Sequence, residues 1–154
     1  MNVGDRIPEV LGKDQQGREI KASDFAGRKV VLYTYPKANT PGCTAEACSL
    51  QQHMDELAAK GYAIVGVSKD KAETQAKFAD NYNLQFPLIA DTDTTLLQAL
   101  GAWGEKTNYG KTTMGTLRTT YLVNEEGIIE KIFTGKEINT KVHAEQILEF
   151  LDKQ

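Results

Sequence analysis

The sequence predicts an α/β fold, a mixed central sheet flanked by helices and preceded by an N-terminal β-hairpin. Three observations lead there. Val30–Tyr35 and Tyr62–Val67 are short continuous apolar runs, rich in β-branched and aromatic residues, as expected of strands covered on both faces. Segments with apolar residues at helical spacing follow these runs, and strands joined through helices lie parallel. Two later strand-like segments are joined only by Asn124-Glu125-Glu126-Gly127, a turn short enough for an antiparallel pair. A chain of 154 residues, 40% apolar and 25% charged, has the size of one domain, 1–154. At that length folding buries about two-thirds of the unfolded surface, so no staples are needed.

In chain order, residues 9–22 read as a hairpin turning at Asp14-Gln15-Gln16-Gly17. Val30–Tyr35 is the first buried strand, and Pro36 ends it. Ala47, Leu50, Met54 and Leu57 recur at helical spacing, so one helix is expected from about Cys43 to Ala59, stopped by Gly61. Tyr62–Val67 is the second buried strand. The next helix opens on Asp70-Lys71-Ala72-Glu73, which has the form of a capping box. Phe86–Ala90 is a third strand and Thr94–Leu100 a short helix. Gly101–Gly115 holds four glycines and few apolar residues, and is expected to be an irregular loop. Leu117–Val123 and Gly127–Phe133 form a hairpin, and Ala144, Ile147, Leu148 and Leu151 mark the apolar stripe of a closing helix. This order is consistent with a thioredoxin-like sandwich.

Charge excludes several functions. Lys and Arg number 18 against 21 Asp and Glu, a net −3, which leaves no basic footprint for nucleic acid or an anionic membrane. No apolar run reaches the length of a membrane span. The start, MNVGDRIPEV, lacks the basic and apolar segments of a secretory signal. Two cysteines are too few for a secreted disulfide framework. The expectation is a cytoplasmic protein whose thiols are reduced, inert or redox-active.

The informative stretch runs from Tyr35 to Cys48. A buried strand feeds a loop, and the loop delivers Cys43 to the first turn of a helix. Unpaired N–H groups and the positive end of the helix dipole favour a thiolate there, and thiolate is the nucleophilic form. Ligand sites in open α/β sheets lie beyond the carboxyl ends of the strands, where this loop falls. Cys48, between Ala47 and Ser49, reads on its own as a small buried hydrophobe. Five residues along an ideal helix place Cα atoms roughly 8.6 Å apart and about 140° around the axis. A disulfide needs about 7 Å or less, so if Cys43 and Cys48 do bond, the first turn must unwind.

Pro36-x-x-x-Thr40-x-x-Cys43 matches the active-site pattern of the peroxiredoxins. The five-residue step to Cys48 resembles the atypical two-cysteine branch of bacterioferritin comigratory protein, or peroxiredoxin Q. The resemblance covers nearly the whole chain, through Val3-Gly4-Asp5, Asp24-Phe25-Ala26-Gly27-Arg28, Gly66-Val67-Ser68, Trp103-Gly104-Glu105-Lys106 and Arg118. Asn124, where the family often has Asp, is a minor departure. The resemblance implies a thiol peroxidase for hydrogen peroxide and organic hydroperoxides. Cys43 would attack the peroxide, Cys48 would resolve the sulfenic acid, and thioredoxin or a similar dithiol would reduce the resulting disulfide. It implies no metal, haem or flavin. Both cysteines lie in one chain, so a monomer suffices.

The remaining candidates divide by chemistry. Thr40 has a hydroxyl able to accept from the peroxide while donating to sulfur, and serves equally well as a helix cap. Arg118 offers a permanent charge and a planar donor fork for thiolate and leaving oxygen, though an arginine in a strand is ordinarily solvated. Pro36 shields the site and constrains the backbone. Glu46 either orients Arg118 or is a surface carboxylate. His53 and His143 look like isolated surface residues. A peroxide relay to a partner protein would use the same Cys43. A zinc module from Cys43, Cys48 and His53 fails on geometry, since each five-residue step turns the side chains apart. Gly110-Lys111-Thr112 lacks the spacing of a phosphate loop, and a thioredoxin-like reductase would need C-x-x-C.

Overall fold

The computed structural model describes residues Met1 to Gln154 except for the side chain of Asn108. The chain opens with an antiparallel hairpin of β1 (Val10–Lys13) and β2 (Glu19–Lys21), as expected. Buried Asp14 closes its turn by accepting from the backbone N–H groups of Gln16 and Arg18 at 2.9 and 3.0 Å. Then come β3 (Lys29–Thr34), α1 (Pro41–Gln52), α2 (Met54–Ala59), β4 (Tyr62–Ser68), α3 (Ala72–Tyr82), β5 (Leu88–Ala90) and α4 (Thr95–Leu100). The second half holds β6 (Trp103–Asn108), β7 (Lys111–Thr116), β8 (Thr119–Val123), β9 (Ile129–Phe133) and α5 (His143–Asp152).

The central sheet has the order β5-β4-β3-β8-β9. β3, β4 and β5 run parallel, while β8 pairs antiparallel with β3 and β9 with β8. The expected mixed sheet between helical layers is thus the architecture observed. Period-two alternation divides β3 between two cores. Val31 and Tyr33 pack with Ala47 and Leu50 of α1, Phe78 of α3 and Ile147 of α5. Val30 and Leu32 face the other way, toward Leu11 and Ile20 of the N-terminal hairpin and Leu97 of α4. Among the described residues no helix is long and apolar enough to cross a membrane.

The structure corrects several sequence expectations. The segment Gly101–Gly115 is no irregular loop: β6 and β7 form a two-stranded antiparallel hairpin. Tyr109 and Gly110 make its turn with φ of 53° and 79°, the left-handed pair that suits the twist of flanking strands. Most of β7 is exposed, so no buried face imprinted an apolar alternation on the sequence. The helix expected from Cys43 to Ala59 begins at Pro41 and breaks at His53 (φ −108°, ψ 15°). The His53 ring Nδ1 stands 2.9 Å from the Ser49 carbonyl, which its own backbone N–H reaches only at 3.3 Å. A side chain competing for a ladder carbonyl is a recognised cause of a kink. Asp70 caps nothing, since Lys71 is the N-cap of α3 and makes no side-chain bond. Its carboxylate faces the loop after β3 instead.

Candidate active site

The site forms where β3 ends and α1 begins. Tyr35 N–H still bonds to the Val67 carbonyl at 3.0 Å, and then Pro36 turns the chain off the sheet. Asp70 Oδ2 accepts from the Ala38 N–H at 2.8 Å and from Ser68 Oγ at 2.7 Å, pinning the loop to the end of β4. Asn39 takes a left-handed φ of 64°, which asparagine tolerates, and so re-aims the backbone. Thr40 is the N-cap of α1 and its carbonyl accepts the first helical bond, from Thr44 N–H at 2.8 Å. Pro41 at the start of the helix loses nothing by lacking an N–H. Cys43 therefore sits in the first turn, among backbone N–H groups without helical partners, and is only 1% exposed.

Arg118 reaches this turn from the segment between β7 and β8. Buried Thr34 holds that segment: its hydroxyl donates to the Leu117 carbonyl at 2.7 Å and accepts from Thr119 N–H at 3.1 Å. The guanidinium forks. Nη2 donates to Cys43 Sγ at 3.3 Å, and Nη1 donates to Glu46 Oε1 at 2.6 Å. Gly42 lies against this fork, and a methyl group there would meet Nη2 only in ordinary contact at 3.4 Å. Glu46 is fully buried, so it is not a surface carboxylate; it fixes the plane of Arg118. Burial pushes the Glu46 carboxyl up to about 7, against the pull of Arg118.

The other sequence candidates land differently. Pro36 is half-buried and lines, with Arg118, Leu117, Tyr121 and Lys106, a cleft of about 1160 Å³. The Thr40 hydroxyl donates to the Lys37 carbonyl at 2.7 Å, and so does not cap the helix. Cys48 is half-buried and free, and burial pushes its thiol above the ordinary value. His143 is not a surface residue: it is fully buried, with Nε2 3.9 Å from Glu46 Oε2 and 2.7 Å from Thr120 Oγ1. Asp70 and Thr34, which hold the segments around the site, and His143, buried beside Glu46, are groups that sequence reading missed. Only long-range pairing brings them to the site; Thr34 and His143 carry no motif, and that of Asp70 pointed to a helix cap instead.

A buried cysteine at a helix start, held by an arginine–carboxylate pair on a thioredoxin-type sheet, defines a thiol-based oxidoreductase. Comparison with known proteins identifies the class more closely. Residues 3–132 match the model of the AhpC/TSA family. The chain is 39% identical over 151 residues to peroxiredoxin Bcp of Escherichia coli, covering 98% of this chain and 96% of that one. Among solved structures, peroxidoxin BcpB of Mycobacterium tuberculosis superposes with a TM-score of 0.85 at 31% identity, covering 99% of this chain and 97% of the other. Bacterioferritin comigratory protein of Xanthomonas campestris, described for its alkyl peroxide reduction activity, gives 0.84 at 29% identity, with 97% and 98% covered. The chain belongs to the AhpC/TSA family and, within it, to the peroxiredoxins of the bacterioferritin comigratory protein type. It is a thiol peroxidase, and it draws on a peroxide and a reductant; a relay or metal-binding role is not favoured.

Proposed function

We propose that Cys43 is the residue that attacks the peroxide and Cys48 the one that resolves the product. The observation that carries this reading is the Arg118 N–H on Cys43 Sγ, which supports negative charge on one cysteine and leaves the other without it. Cys43 thiolate attacks one peroxide oxygen and breaks the O–O bond, giving Cys43 sulfenic acid and alkoxide or hydroxide, which takes up a proton. The same guanidinium is placed to stabilise the departing oxygen at the cleft mouth. Pro36 shields the sulfur from bulk water. Thr40, the N-cap three residues before Cys43, would contribute its hydroxyl to the peroxide or the sulfur by giving up its bond to the Lys37 carbonyl.

Cys48 thiolate then displaces hydroxide from the sulfenic sulfur, forming an intramolecular disulfide, and the hydroxide leaves as water by taking up the proton that the Cys48 thiol had released. Both cysteines lie in α1, whose geometry does not permit that bond, so its first turn unwinds in the oxidised form. Thioredoxin or a similar dithiol reduces the disulfide by exchange. Hydrogen peroxide and alkyl hydroperoxides are the substrates. The chain acts as one domain in the cytoplasm, and a monomer is sufficient, because no second subunit supplies a thiol.

The test is intact mass and free-thiol count after one equivalent of hydrogen peroxide. The wild type should lose two thiols and about two mass units, and Cys48→Ser should accumulate a sulfenic acid that can be trapped. Two thiols persisting for minutes would overturn the assignment.

A further inference from the structure

Beside Arg118, three residues along α1 from Cys43, lies a buried polar group that the proposed cycle does not use. Glu46 Oε1 is committed to Arg118, but among the described residues Oε2 has no hydrogen-bond partner. His143 Nε2 stands 3.9 Å from Oε2 and is also fully buried. An unpartnered carboxylate oxygen in the interior is costly and calls for a donor.

The hydrogen bonds around His143 define where its proton stands. Gln146 Oε1 accepts from the Asn139 N–H at 3.0 Å, and Gln146 Nε2 donates to the Glu137 carbonyl at 2.9 Å. These two bonds orient the amide, so the atom 3.0 Å from His143 Nδ1 is an acceptor and Nδ1 carries a hydrogen. In neutral His143 the Nε2 lone pair then receives the Thr120 hydroxyl, 2.7 Å away. Thr120 thus takes the lone pair, and Glu46 Oε2, 3.9 Å away, is left among the described residues with no hydrogen to accept. One added proton offsets this: on Glu46 it neutralises the carboxylate, and on Nε2, with the Thr120 hydroxyl turned to accept, it sets a cation beside it.

We propose that Glu46 and His143 hold one exchangeable proton that compensates the change of charge on Cys43. The inference rests on Cys43 being the residue that attacks peroxide. In the reduced protein the buried cluster comprises Cys43 thiolate, Arg118 cation and the protonated, neutral pair, and its charges cancel. Oxidation to sulfenic acid removes the thiolate charge. Loss of the proton from the pair then leaves Arg118 facing a single Glu46 carboxylate, and the charges cancel again. The balanced step is Cys43 thiolate plus hydroperoxide plus protonated pair, giving Cys43 sulfenic acid, alcohol and deprotonated pair. The proton the alkoxide needs equals the proton the pair gives up. An unbalanced buried charge is what the arrangement avoids.

The surroundings agree. The charged or titratable groups facing the cluster are Cys43 from α1, Arg118 before β8, Tyr33 from β3 and, beyond Arg118, Lys106 from β6. Burial keeps the Tyr33 phenol protonated, so it does not compete for the proton. Phe133 of β9 closes the far side with its ring edge to the imidazole, centroids 5.6 Å apart. Burial raises the Glu46 carboxyl to about 7 and lowers the imidazole, which brings two groups of unlike ordinary affinity close together.

Two measurements test the pair. In the first, His143 is titrated by NMR of its ring nitrogens in reduced wild type and in Cys43→Ser, which carries no thiolate. The midpoint in Cys43→Ser should lie about one pH unit lower; superimposable curves would overturn the proposal. In the second, an indicator dye counts protons taken up in weak buffer as Cys48→Ser forms sulfenic acid near neutral pH. Uptake should be well below one proton per sulfenic acid, rising to about one when Glu46→Gln is added. Equal uptake with sulfenic acid formed in both would overturn this inference alone. Absence of sulfenic acid would overturn the Cys43 assignment, and the inference with it.

Discussion

Cys43 and Cys48 share one helix, five positions apart, yet the structure treats them as different chemical species. Cys43 is almost wholly enclosed and has a guanidinium N–H on its sulfur. Cys48 is half-buried, and burial without a compensating charge raises its thiol above the ordinary value. Enclosure alone therefore does not make a reactive cysteine. What separates the pair is the charge of Arg118, delivered from the segment just before β8, and Thr34 of β3 together with Glu46 of α1 aims that charge. A nucleophile and a resolving thiol can thus be drawn from the same helix by tertiary contacts made to only one of them.

The largest way to break this contrast is to remove the charge. Arg118→Ala should slow single-turnover oxidation of Cys43 by about 10²–10³-fold, the scale of losing a principal transition-state donor. Its circular dichroism should be unchanged, and Glu46, left buried without a cation, should hold its proton to still higher pH. A rate near that of wild type would remove Arg118 from the mechanism.

A smaller effect sharpens the contrast from the other side. The Cys48 thiol titrates above its ordinary value, so its thiolate fraction is small at neutrality and grows about tenfold per pH unit below that point. Conversion of sulfenic acid to disulfide, followed by stopped-flow, should accelerate with rising pH in that proportion, while the first oxidation step does not follow it. A flat profile would show that Cys48 thiolate is not the attacking form.

The smallest effect comes from the loop. Asp70→Ala frees the Ala38 N–H and the Ser68 hydroxyl, and should cost about 1–2 kcal/mol in urea unfolding. It should slow Cys43 oxidation a few-fold and leave labelling of Cys48 by a thiol reagent unchanged. Equal loss at both cysteines would mean that Asp70 stabilises the fold rather than aiming one residue.

Much of this was legible in the sequence because burial on both faces writes strands as apolar runs. Val30–Tyr35 and Tyr62–Val67 became β3 and β4, and the turn at Asn124–Gly127 joined β8 to β9. Position also conveyed chemistry for Cys43, since a strand, a loop and a helix start place it among free N–H groups. The hairpin of β6 and β7 was hidden because little of it is buried, although Tyr109-Gly110 offered a turn signal. Asp70 was misread for a related reason: the four residues Asp70–Glu73 satisfy a local capping pattern, while its actual partner, Ala38, lies 32 positions away. His143 carried no local sign of burial, because its partners Glu46 and Thr120 come from α1 and β8. Local periodicity reports secondary structure well, and it is silent on which polar groups meet across the sheet.

Ser49 follows Cys48 directly, and its hydroxyl accepts the Ala144 N–H at the start of α5 at 3.0 Å. Helix α1 is thus tied to the start of α5 at residue 49, and Ala47 packs in the same core as Ala144 and Ile147. In the proposed cycle the two sulfurs meet only by loosening the stretch from Cys43 to Cys48, so each oxidation would set the new bond against the packing of Ala47 and the Glu46–Arg118 pair. Ser49 is the first residue past that stretch, and its bond to Ala144 would hold the remainder of α1 on α5 while the stretch before it is spent and renewed.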